Sequence, residues 1–398
     1  MACALLQLVS CGAEDIPLTS DPEMTFFKSV YKQYTKFSME SMENLFVDKP
    51  KFGSMNVLKI KRYGDLISDI YLDIMLPHDP NLVNSYWTNR IGFNLLKKVE
   101  LYIGKILIDR MYGQWCHIWV ELTHPIDKKL LIDRMLGGMN CNGYSNGYSA
   151  TIPHKLTIPL FFSFCRHPGL ALPLIAIRNN MEITLKFFFE KKSECIQRGE
   201  LPKGDIYDAT VWVEYVFMEK DQQNLYAQTP LEYVFESIQH YTQNLIIGGT
   251  KNIALPFNLP CKELMWVVRK KYTNNLNYIN IYGDKFTDFT CDHIYSMVKH
   301  VQFKFNSFNV FSSGPRANDY FNYVIPYQCH SGNPDLGINA YSFALYPESI
   351  EASGIINFLH LKSANINISA IHNGLLDMYA VCYNVIKFKD GDFELIYN

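Results

Sequence analysis

Met218-Glu-Lys-Asp-Gln-Gln-Asn-Leu-Tyr-Ala-Gln-Thr-Pro230 is the most polar run between two strand-rich halves of a 398-residue chain. The segment before it, Val211–Phe217, alternates in the manner of a strand. No residue from Met218 to Asn224 is β-branched, and Pro230 cannot continue a helix. We therefore predict a short helix or turn here, joining two domains of one kind.

The two halves repeat each other weakly and in the same order. Gly53-Ser-Met-Asn-Val-Leu58 resembles Gly249-Thr-Lys-Asn-Ile-Ala254, and each is followed by an acidic residue and an apolar strand. The closing strands also pair, because Tyr379-Ala-Val-Cys-Tyr-Asn-Val385 resembles Val211–Phe217. A repeat offset by about half the chain predicts two copies of one domain rather than a solenoid of short units.

Composition is consistent with two domains of ordinary size, each with its own core. The formal net charge is −2, and paired lysines are isolated doublets, so no direct binding of nucleic acid is expected. Charged residues make up 19% and aromatic residues 14% of the chain. This balance fits either a surface largely covered by neighbouring proteins or an aromatic core, and composition leaves both open.

The cysteines and the N-terminus indicate a reducing compartment. Ten cysteines are scattered without a Cys-x-x-Cys pair, and several lie in apolar runs, where a reduced thiol packs as a small hydrophobe. The first residues lack a basic segment and soon reach Glu14 and Asp15, which is not typical of a signal peptide. No run of 18 apolar residues occurs, so we expect no membrane insertion.

Short apolar runs separated by turn residues recur along the chain, and little of it has a helical pattern. Tyr112–Leu122 is ambiguous and could be helical, whereas His124–His154 and Lys191–Asp208 have the composition of loops. The pattern predicts an all-β protein built of tandem β-sandwiches, and eight strands in two sheets would make each a jelly roll. The strands predicted on this basis are Asn56–Lys61, Leu66–Leu76, Leu95–Ile103, Lys105–Asp109, Leu156–Ser163, Glu182–Phe189, Val211–Phe217, Asn252–Phe257, Lys262–Lys271, Tyr278–Tyr282, Val301–Phe305, Asn339–Leu345, Gly354–Leu361, Asn365–Ala370 and Tyr379–Phe388.

Six stretches in order resemble the double jelly-roll major capsid protein of large nucleocytoplasmic DNA viruses. The most specific is Pro159-Leu-Phe-Phe-Ser-Phe-Cys-Arg-His-Pro-Gly-Leu-Ala-Leu-Pro173. The resemblance spans Gln7 to Tyr397, which makes it more specific than any short signature. The other stretches are Gln7–Thr19 with Thr25–Tyr31, Gly64–Ile67 with Tyr71–Pro77, Ile91–Thr123, Asp319–Tyr323 with Gly337–Phe358, and Tyr379–Val385.

The resemblance implies two eight-stranded antiparallel jelly rolls in one chain, with short helices in loops and linker. It divides the chain into an N-terminal arm (1–24), a first jelly roll (25–218), a linker (219–230) and a second jelly roll (231–398). It also implies homotrimers of pseudo-hexagonal outline that tile an icosahedral shell, beside neighbouring capsomers and minor capsid proteins, around an internal membrane. Assembly is expected in the host cytoplasm. The chain is shorter than many members, which argues against a tower carrying glycans, and a minor capsid protein of the same fold is the alternative.

Candidate assembly residues lie in the arm, in the segment after it and in one loop. Arg166 and His167 lie between two strands, and we expect either a turn near a subunit boundary or one internal to the chain. Apolar side chains in the arm should be covered by other subunits or by minor proteins, or else pack on the first jelly roll. These apolar candidates are Leu5, Leu6, Leu8, Val9, Phe26, Phe27 and Tyr31.

A catalytic or ligand-binding jelly roll is the rival interpretation. The chain has no Gly-x-Ser-x-Gly, P-loop or His-Glu-x-x-His motif, and we expect no enzyme activity and no cofactor. A lectin would use loop aromatics such as Tyr144 and Tyr148, and the single sequon at Asn367 lies in a predicted strand and should stay unmodified. Four Cys/His pairs were weighed as metal ligands and are better explained as packed or surface residues: Cys116-His117, Cys165-x-His167, Cys291-x-His293 and Cys329-His330.

Overall fold

The computed structural model describes residues 35–138, 148–246, 249–270, 284–291 and 295–397. By its internal contacts the chain divides into Met1–Phe37 and a compact unit, Ser38–Asn398, that contains every described helix and every described strand except for Phe37 at the start of the first strand. The predicted arm 1–24, the residues Phe26, Phe27 and Tyr31, and the predicted strand Tyr278–Tyr282 lie outside the described residues.

The first half forms two four-stranded antiparallel sheets. Their orders are β1–β8–β3–β6 and β2–β7–β4–β5. Alternating burial places one face of each strand in the interior, as in β7, where every second side chain is buried. The strands are β1 (Phe37–Leu45), β2 (Met55–Ile60), β3 (Leu66–Leu76), β4 (Leu96–Ile103), β5 (Ile106–Met111), β6 (His154–Pro159), β7 (Ile183–Phe189) and β8 (Tyr207–Met218).

The second half repeats this arrangement. Its sheets have the orders β9–β16–β11–β14 and β10–β15–β12–β13. In both halves the first strand pairs with the eighth, the eighth with the third and the third with the sixth, which is the jelly-roll connection. The strands are β9 (Leu231–Leu245), β10 (Thr250–Ala254), β11 (Pro260–Lys270), β12 (Val298–Phe305), β13 (Phe308–Asn309), β14 (Asn339–Ser342), β15 (Ala364–Ala370) and β16 (Gly374–Lys389).

A β-bulge occurs at the same place in both halves. In the third strand of the first half, Ser68 is the extra residue, and in the third strand of the second half it is Lys262. With the bulges aligned, Tyr215 corresponds to Cys382, one residue away from the pairing read from the sequence. The shift has a physical reason, because strands alternate faces and only this register turns both side chains into a core.

Helices connect the strands and cover their ends. The predicted linker helix is confirmed as α5, and the ambiguous segment after β5 is helical, as α2. Within the described ranges, no helix is long and apolar enough to cross a bilayer. The helices are α1 (Ile91–Leu95), α2 (Gly113–Thr123), α3 (Ile126–Leu136), α4 (Lys192–Cys195), α5 (Lys220–Gln228) and α6 (Ile325–Cys329), with a π-helical turn at Tyr320–Val324 and 3-10 turns at Ser163–Arg166, Pro168–Leu170, Leu174–Ala176 and Phe358–His360.

Short strands extend the sheets. The paired segments are Tyr86–Trp87 with Ile196–Arg198, Leu172–Pro173 with β3, Thr290–Cys291 with Tyr295–Ser296, Arg316–Ala317 with β12, Ile356–Asn357 with β11, and Asp392–Leu395 with β16.

Two loop predictions were incomplete. His124–His154 was expected to be a loop, but it contains α3, and Lys191–Asp208 contains α4 and the short strand Ile196–Arg198. The first error arose because the mean hydropathy of α3 is low. This helix buries only part of one side, including Ile132 and Leu136, and leaves Leu131 exposed. The fold-class prediction is confirmed, whereas the limits of the four predicted segments stay a prediction.

Buried apolar side chains form two clusters. One fills the second half between its own sheets and includes Trp266 and Phe303. The other fills the first half and continues onto the outer face of sheet β9–β16–β11–β14, where Tyr379 and Val381 belong to it. The two halves are therefore joined by a continuous apolar core and not by the linker alone.

Candidate assembly site at the seam between the halves

The seam is the surface where the two halves meet. The first half contributes β5, α2 and the Ser163–Arg166 turn, and the second half contributes β9 and β11. The Ser163 hydroxyl accepts a hydrogen bond of 2.8 Å from the Glu236 backbone N–H. Beside it Phe164, only 8% exposed, lines an apolar crevice together with Tyr233 and Phe235 of β9.

Three ionised side chains cross the seam. Arg166 of the first half and Lys262 of the second both contact the Glu236 carboxylate, one on each oxygen. The side chain of Lys262 is fully buried, and those of Glu236 and Arg166 are 9% and 15% exposed. Burying such charges is costly unless they pair, so each cation depends on the same carboxylate.

Aromatic rings complete the coordination of the two cations. The Arg166 guanidinium carbon lies 4.4 Å from the centre of the Trp119 ring, and Lys262 Nζ lies 5.6 Å from that of Tyr383. Both distances fall within the range of cation–π attraction. The bulge at Lys262 explains its direction, since an extra residue re-aims a side chain out of the regular alternation of the strand.

Burial and neighbouring charges shift the pKa values of the titrating groups in the seam in opposite directions. Burial alone would raise the pKa of Glu236, but Arg166 and Lys262 hold that pKa below its ordinary value. Burial lowers the pKa of Lys262, and Glu236 only partly offsets this. Burial raises the pKa of Asp109 to about 7, although its carboxylate accepts backbone N–H bonds from Ser163 and Arg110.

A second ionised group anchors the helices of the first half. Arg90 bridges Glu121 of α2 and Asp133 of α3, with both contacts at 2.6 Å. Lys129 of α3 lies 2.8 Å from Glu121 and also donates to the backbone carbonyl of Asn333 in the second half, at 2.6 Å. This group therefore ties the helix pair to both halves.

A third contact brings the loop after α6 onto the end of α2. His330 lies 2.5 Å from Glu263 and 3.1 Å from Glu348. Burial would lower the pKa of His330, but the two carboxylates raise it to about 9, so the ring is a cation at neutral pH. The next residue, Ser331, donates to the carbonyl of Thr123 at 2.8 Å, which fixes the loop on the first half.

A cavity of about 490 Å³ opens on the seam. Its walls include Trp119, Phe161, Arg166 and Tyr383. Within the part of the chain that the structure describes, the buried hydroxyl of Tyr383 has no hydrogen-bond partner. Glu236 also lines this cavity and is paired there with Arg166.

Of the candidate assembly residues predicted from the sequence, the structure places one in the seam and one outside it, and it does not describe the others. Arg166 lies in it, and its contacts above are within one chain, whereas His167 is exposed and accepts a bond from Gly169 N–H through Nδ1. Their predicted proximity to a subunit boundary stays a prediction. The candidates outside the described residues are Leu5, Leu6, Leu8, Val9, Phe26, Phe27 and Tyr31.

Those members of the Cys/His pairs that the structure describes make other contacts, as Cys116 does in the apolar core and His167 with the Gly169 N–H. Among the described residues, no group of three or more His, Cys, Asp or Glu side chains converges as metal ligands would. His117 contacts Arg90 at 2.9 Å, His330 binds carboxylates, and His293 lies outside the described residues. Of the lectin candidates, Tyr148 stacks on His154 and donates to the carbonyl of Arg134, and Tyr144 is not described.

Sequence reasoning missed Glu236 and Lys262. Neither stood out as a signal, because both strands carry further polar and charged residues, among them Glu232 and Glu263. A charge predicts an ion pair only where it is buried, since burial is costly unless a partner reaches the charge, and the sequence alone did not show that burial. The pairing of Lys262 with Glu236 was not predictable, because the β-bulge turns the Lys262 side chain toward the seam and the sequence does not show the bulge.

Two jelly rolls of one topology, joined by an ionised and apolar seam, define the class as a double jelly-roll protein. Residues 25–219 match the family model "Major capsid protein N-terminus", and residues 223–392 match "Large eukaryotic DNA virus major capsid protein". The major capsid protein of Pyramimonas orientalis virus is 32% identical, and that of Paramecium bursaria Chlorella virus 1 is 31% identical, each aligned over 100% of both chains.

Solved structures agree with the sequence relatives. The crystal structure of PBCV-1 VP54, fitted into a cryo-EM reconstruction of the virophage Sputnik, superposes with a TM-score of 0.81 at 26% identity, covering 94% of this chain and 100% of that one. The Faustovirus major capsid protein shares the fold, with a TM-score of 0.75 at 12% identity, covering 97% of this chain and 96% of that one. This chain belongs to the major capsid protein family of large eukaryotic DNA viruses and is a structural component of the virion capsid.

Proposed function

We propose that three copies of this chain form a capsomer of six-cornered outline and that these capsomers tile an icosahedral shell. The observation that carries the proposal is the duplicated topology, because three chains with two like halves supply six like corners. The relatives named major capsid protein, and the PBCV-1 chain described in a virus capsid, support it. Assembly would take place in the reducing host cytoplasm.

The mass and outline of the purified protein test this proposal. We expect a particle three times the 46.1 kDa chain mass, with a hexagonal outline in negative-stain electron microscopy. A stable monomer over the micromolar range would contradict it. Abundance in purified virions separates a major from a minor capsid role, and we expect this chain to be among the most abundant proteins.

The role we propose is structural and not catalytic. A nucleophilic cysteine needs a lowered pKa and access to substrate. Burial raises the pKa of the Cys116 thiol beyond the ordinary range, and it raises those of Cys165 and Cys195 well above it. These thiols therefore support packing. An excess of a thiol reagent should label them only after unfolding, and rapid labelling of the native protein would contradict their structural role.

We propose further that the arm, residues 1–24, contacts other subunits or minor capsid proteins on the inner side of the shell, beside the internal membrane. Its apolar residues Leu5, Leu6, Leu8 and Val9 are the basis, since burying them could contribute a few kcal/mol at ~25 cal/mol per Å². Deleting residues 2–20 should leave a folded trimer that no longer forms shells. If the deletion instead unfolds the first half, the arm belongs to that half's core.

A further inference from the structure

The seam inside one chain joins two different surfaces of the same fold. The first half contributes its donor surface, which we define as the turn after its sixth strand together with the helix between its fifth and sixth strands. The second half contributes its acceptor surface, defined as its first strand, β9. Because the halves share one topology, each half has both surfaces. The seam leaves the donor surface of the second half and the acceptor surface of the first half unused.

The shared bulge identifies the residues of the unused donor surface. Four residues after each bulge, Leu72 lies opposite Ile158 in the first half, and Trp266 lies opposite Asn339 in the second. Six residues further along the chain, Phe164 and Leu345 therefore occupy the same place. Phe164 is buried in the seam, whereas Leu345 and its neighbour Tyr346 are 73% and 69% exposed.

The helix of this donor surface is exposed in the same way. In the first half, α2 buries Trp115 and most of Trp119 against the seam. Its counterpart between the fifth and sixth strands of the second half is the π-helical turn followed by α6. That counterpart exposes Tyr323 and Tyr327, at 54% and 88%. Large aromatic side chains are rarely left so exposed on a surface that has no partner.

The unused acceptor surface carries exposed apolar side chains among polar ones. In the seam, Phe235 and Ile238 of β9 are 8% and 7% exposed. On the corresponding strand of the first half, β1, Met39 and Leu45 are 49% and 60% exposed, and seven of the nine residues of this strand are exposed. An exposed strand with apolar side chains invites a partner.

We propose that the donor surface of the second half, centred on Leu345, Tyr346 and Tyr327, docks on β1 of a second copy of this chain. The inference rests on the trimer proposed above and assigns its contact surface. A second copy is the fitting occupant because the two surfaces are different and complementary in kind, as a head-to-tail contact requires. Three such contacts between copies, together with the three seams, would join six halves in a ring. The exposed side chains amount to several hundred Å², on the order of one side of a standard interface.

Leu345→Glu and Met39→Glu test the two sides of this contact. Val83→Glu is the matched control, since Val83 is 79% exposed and lies on neither surface. Each variant is examined by native mass spectrometry across a hundredfold range of concentration, with circular dichroism and thermal unfolding as measures of the fold. We expect wild type and Val83→Glu to be trimers, and the other two variants to be folded monomers.

Three results would overturn the inference, and they differ from one another. If wild type and Leu345→Glu are both trimers, the contact lies elsewhere and the proposed capsomer stands. If wild type is a monomer, the capsomer itself is wrong. If Leu345→Glu does not fold, Leu345→Ser is used in its place. The inference then requires that Leu345→Ser form trimers only at protein concentrations at least roughly tenfold higher than wild type needs. Failure of both variants to fold would place Leu345 in the core of its own half.

Discussion

Glu236 is the residue on which the seam depends. It is the shared counter-ion of Arg166 and Lys262, so its charge offsets the burial of two cations from opposite halves. A buried ion pair of this kind is weak support for stability when compared with apolar packing, but removal of one member leaves charge unpaired in the interior.

Replacement of Glu236 by Gln should therefore be severe. We expect the free energy of unfolding to fall by ~3–5 kcal/mol, because Arg166 would keep its charge without this counter-ion and Lys262, whose pKa is already lowered by burial, would lose the carboxylate that favours its charged form. Glu232→Gln on the same strand is the control, since Glu232 pairs with Lys387 in the open and should contribute at most ~1 kcal/mol. Urea unfolding measures both, and equal losses would show that the seam pair is not special.

Asp109 should make stability depend on pH. Its pKa is about 7 in the folded chain and ~3.9 when unfolded, so between these values the folded chain retains a proton that the unfolded chain has lost. The free energy of unfolding then falls as pH rises, by up to ~1.4 kcal/mol per pH unit between about pH 4.5 and 6.5, and this term is flat above 7.

Asp109→Asn removes this contribution. The difference in unfolding free energy between variant and wild type should change across pH 4.5–7, with the variant less dependent on pH. Asp392→Asn is the control, because Asp392 is about half exposed beside Arg178 and should leave the profile unchanged. Parallel profiles for wild type and Asp109→Asn would show that this carboxylate is not the titrating group.

At the scale of elements, the contact between the loop after α6 and the end of α2 has no spare room. Gly332 donates its N–H to the Leu122 carbonyl at 2.7 Å, and a Cβ at Gly332 would lie 2.4 Å from that oxygen. A backbone atom cannot move aside as a flexible side chain can. This close approach explains why glycine stands at the position.

Gly332→Ala should push the loop away from α2 and lower the free energy of unfolding by ~2–4 kcal/mol. Gly249→Ala is the matched control, because a Cβ there has no atom within 4 Å. Thermal unfolding of both variants checks the prediction. An unchanged melting temperature for Gly332→Ala would mean that the loop repacks at little cost.

Element identity could be predicted from the sequence where periodicity was strong, and not where tertiary contacts decide. The strand Leu66–Leu76 followed from an apolar run after the turn at Tyr63-Gly64-Asp65, and the helix or turn of the linker followed from the absence of β-branched residues. The helix α3 did not, because its ion pair with Arg90 and its hydrogen bond to the Asn333 carbonyl involve residues distant in sequence. The repeat was found in the correct order but one residue out of register, since the faces of a strand are fixed by the core.

At the scale of the whole molecule, the seam and not the linker should hold the halves together. Helix α5 has no buried residue and is attached chiefly through Gln223, whose amide donates to Asp65 at 3.0 Å. The apolar core, by contrast, is continuous across the seam.

A protease site placed within 222–228 tests this. After cleavage, we expect the two fragments to migrate together on size exclusion and to separate only in denaturant. The intact protein with the same insertion, left uncleaved, is the control for any effect of the insertion itself. Fragments that separate in buffer would show that the linker supplies the association, and would also favour independent domains at the predicted limits.

The duplicated bulge has a consequence for how a capsomer would come apart. Lys262 puts charge into the contact inside each chain, whereas Ser68, its counterpart in the first half, donates to the Glu214 carbonyl and carries no charge. In a ring of six halves, ionised contacts within chains would then alternate with apolar contacts between chains. The outline would have six similar corners, but the chemistry of the contacts would repeat only three times. Apolar association weakens on cooling, while a buried ion pair is little affected by dilute salt. Cold and dilute buffer would therefore release whole chains, each with its own seam intact.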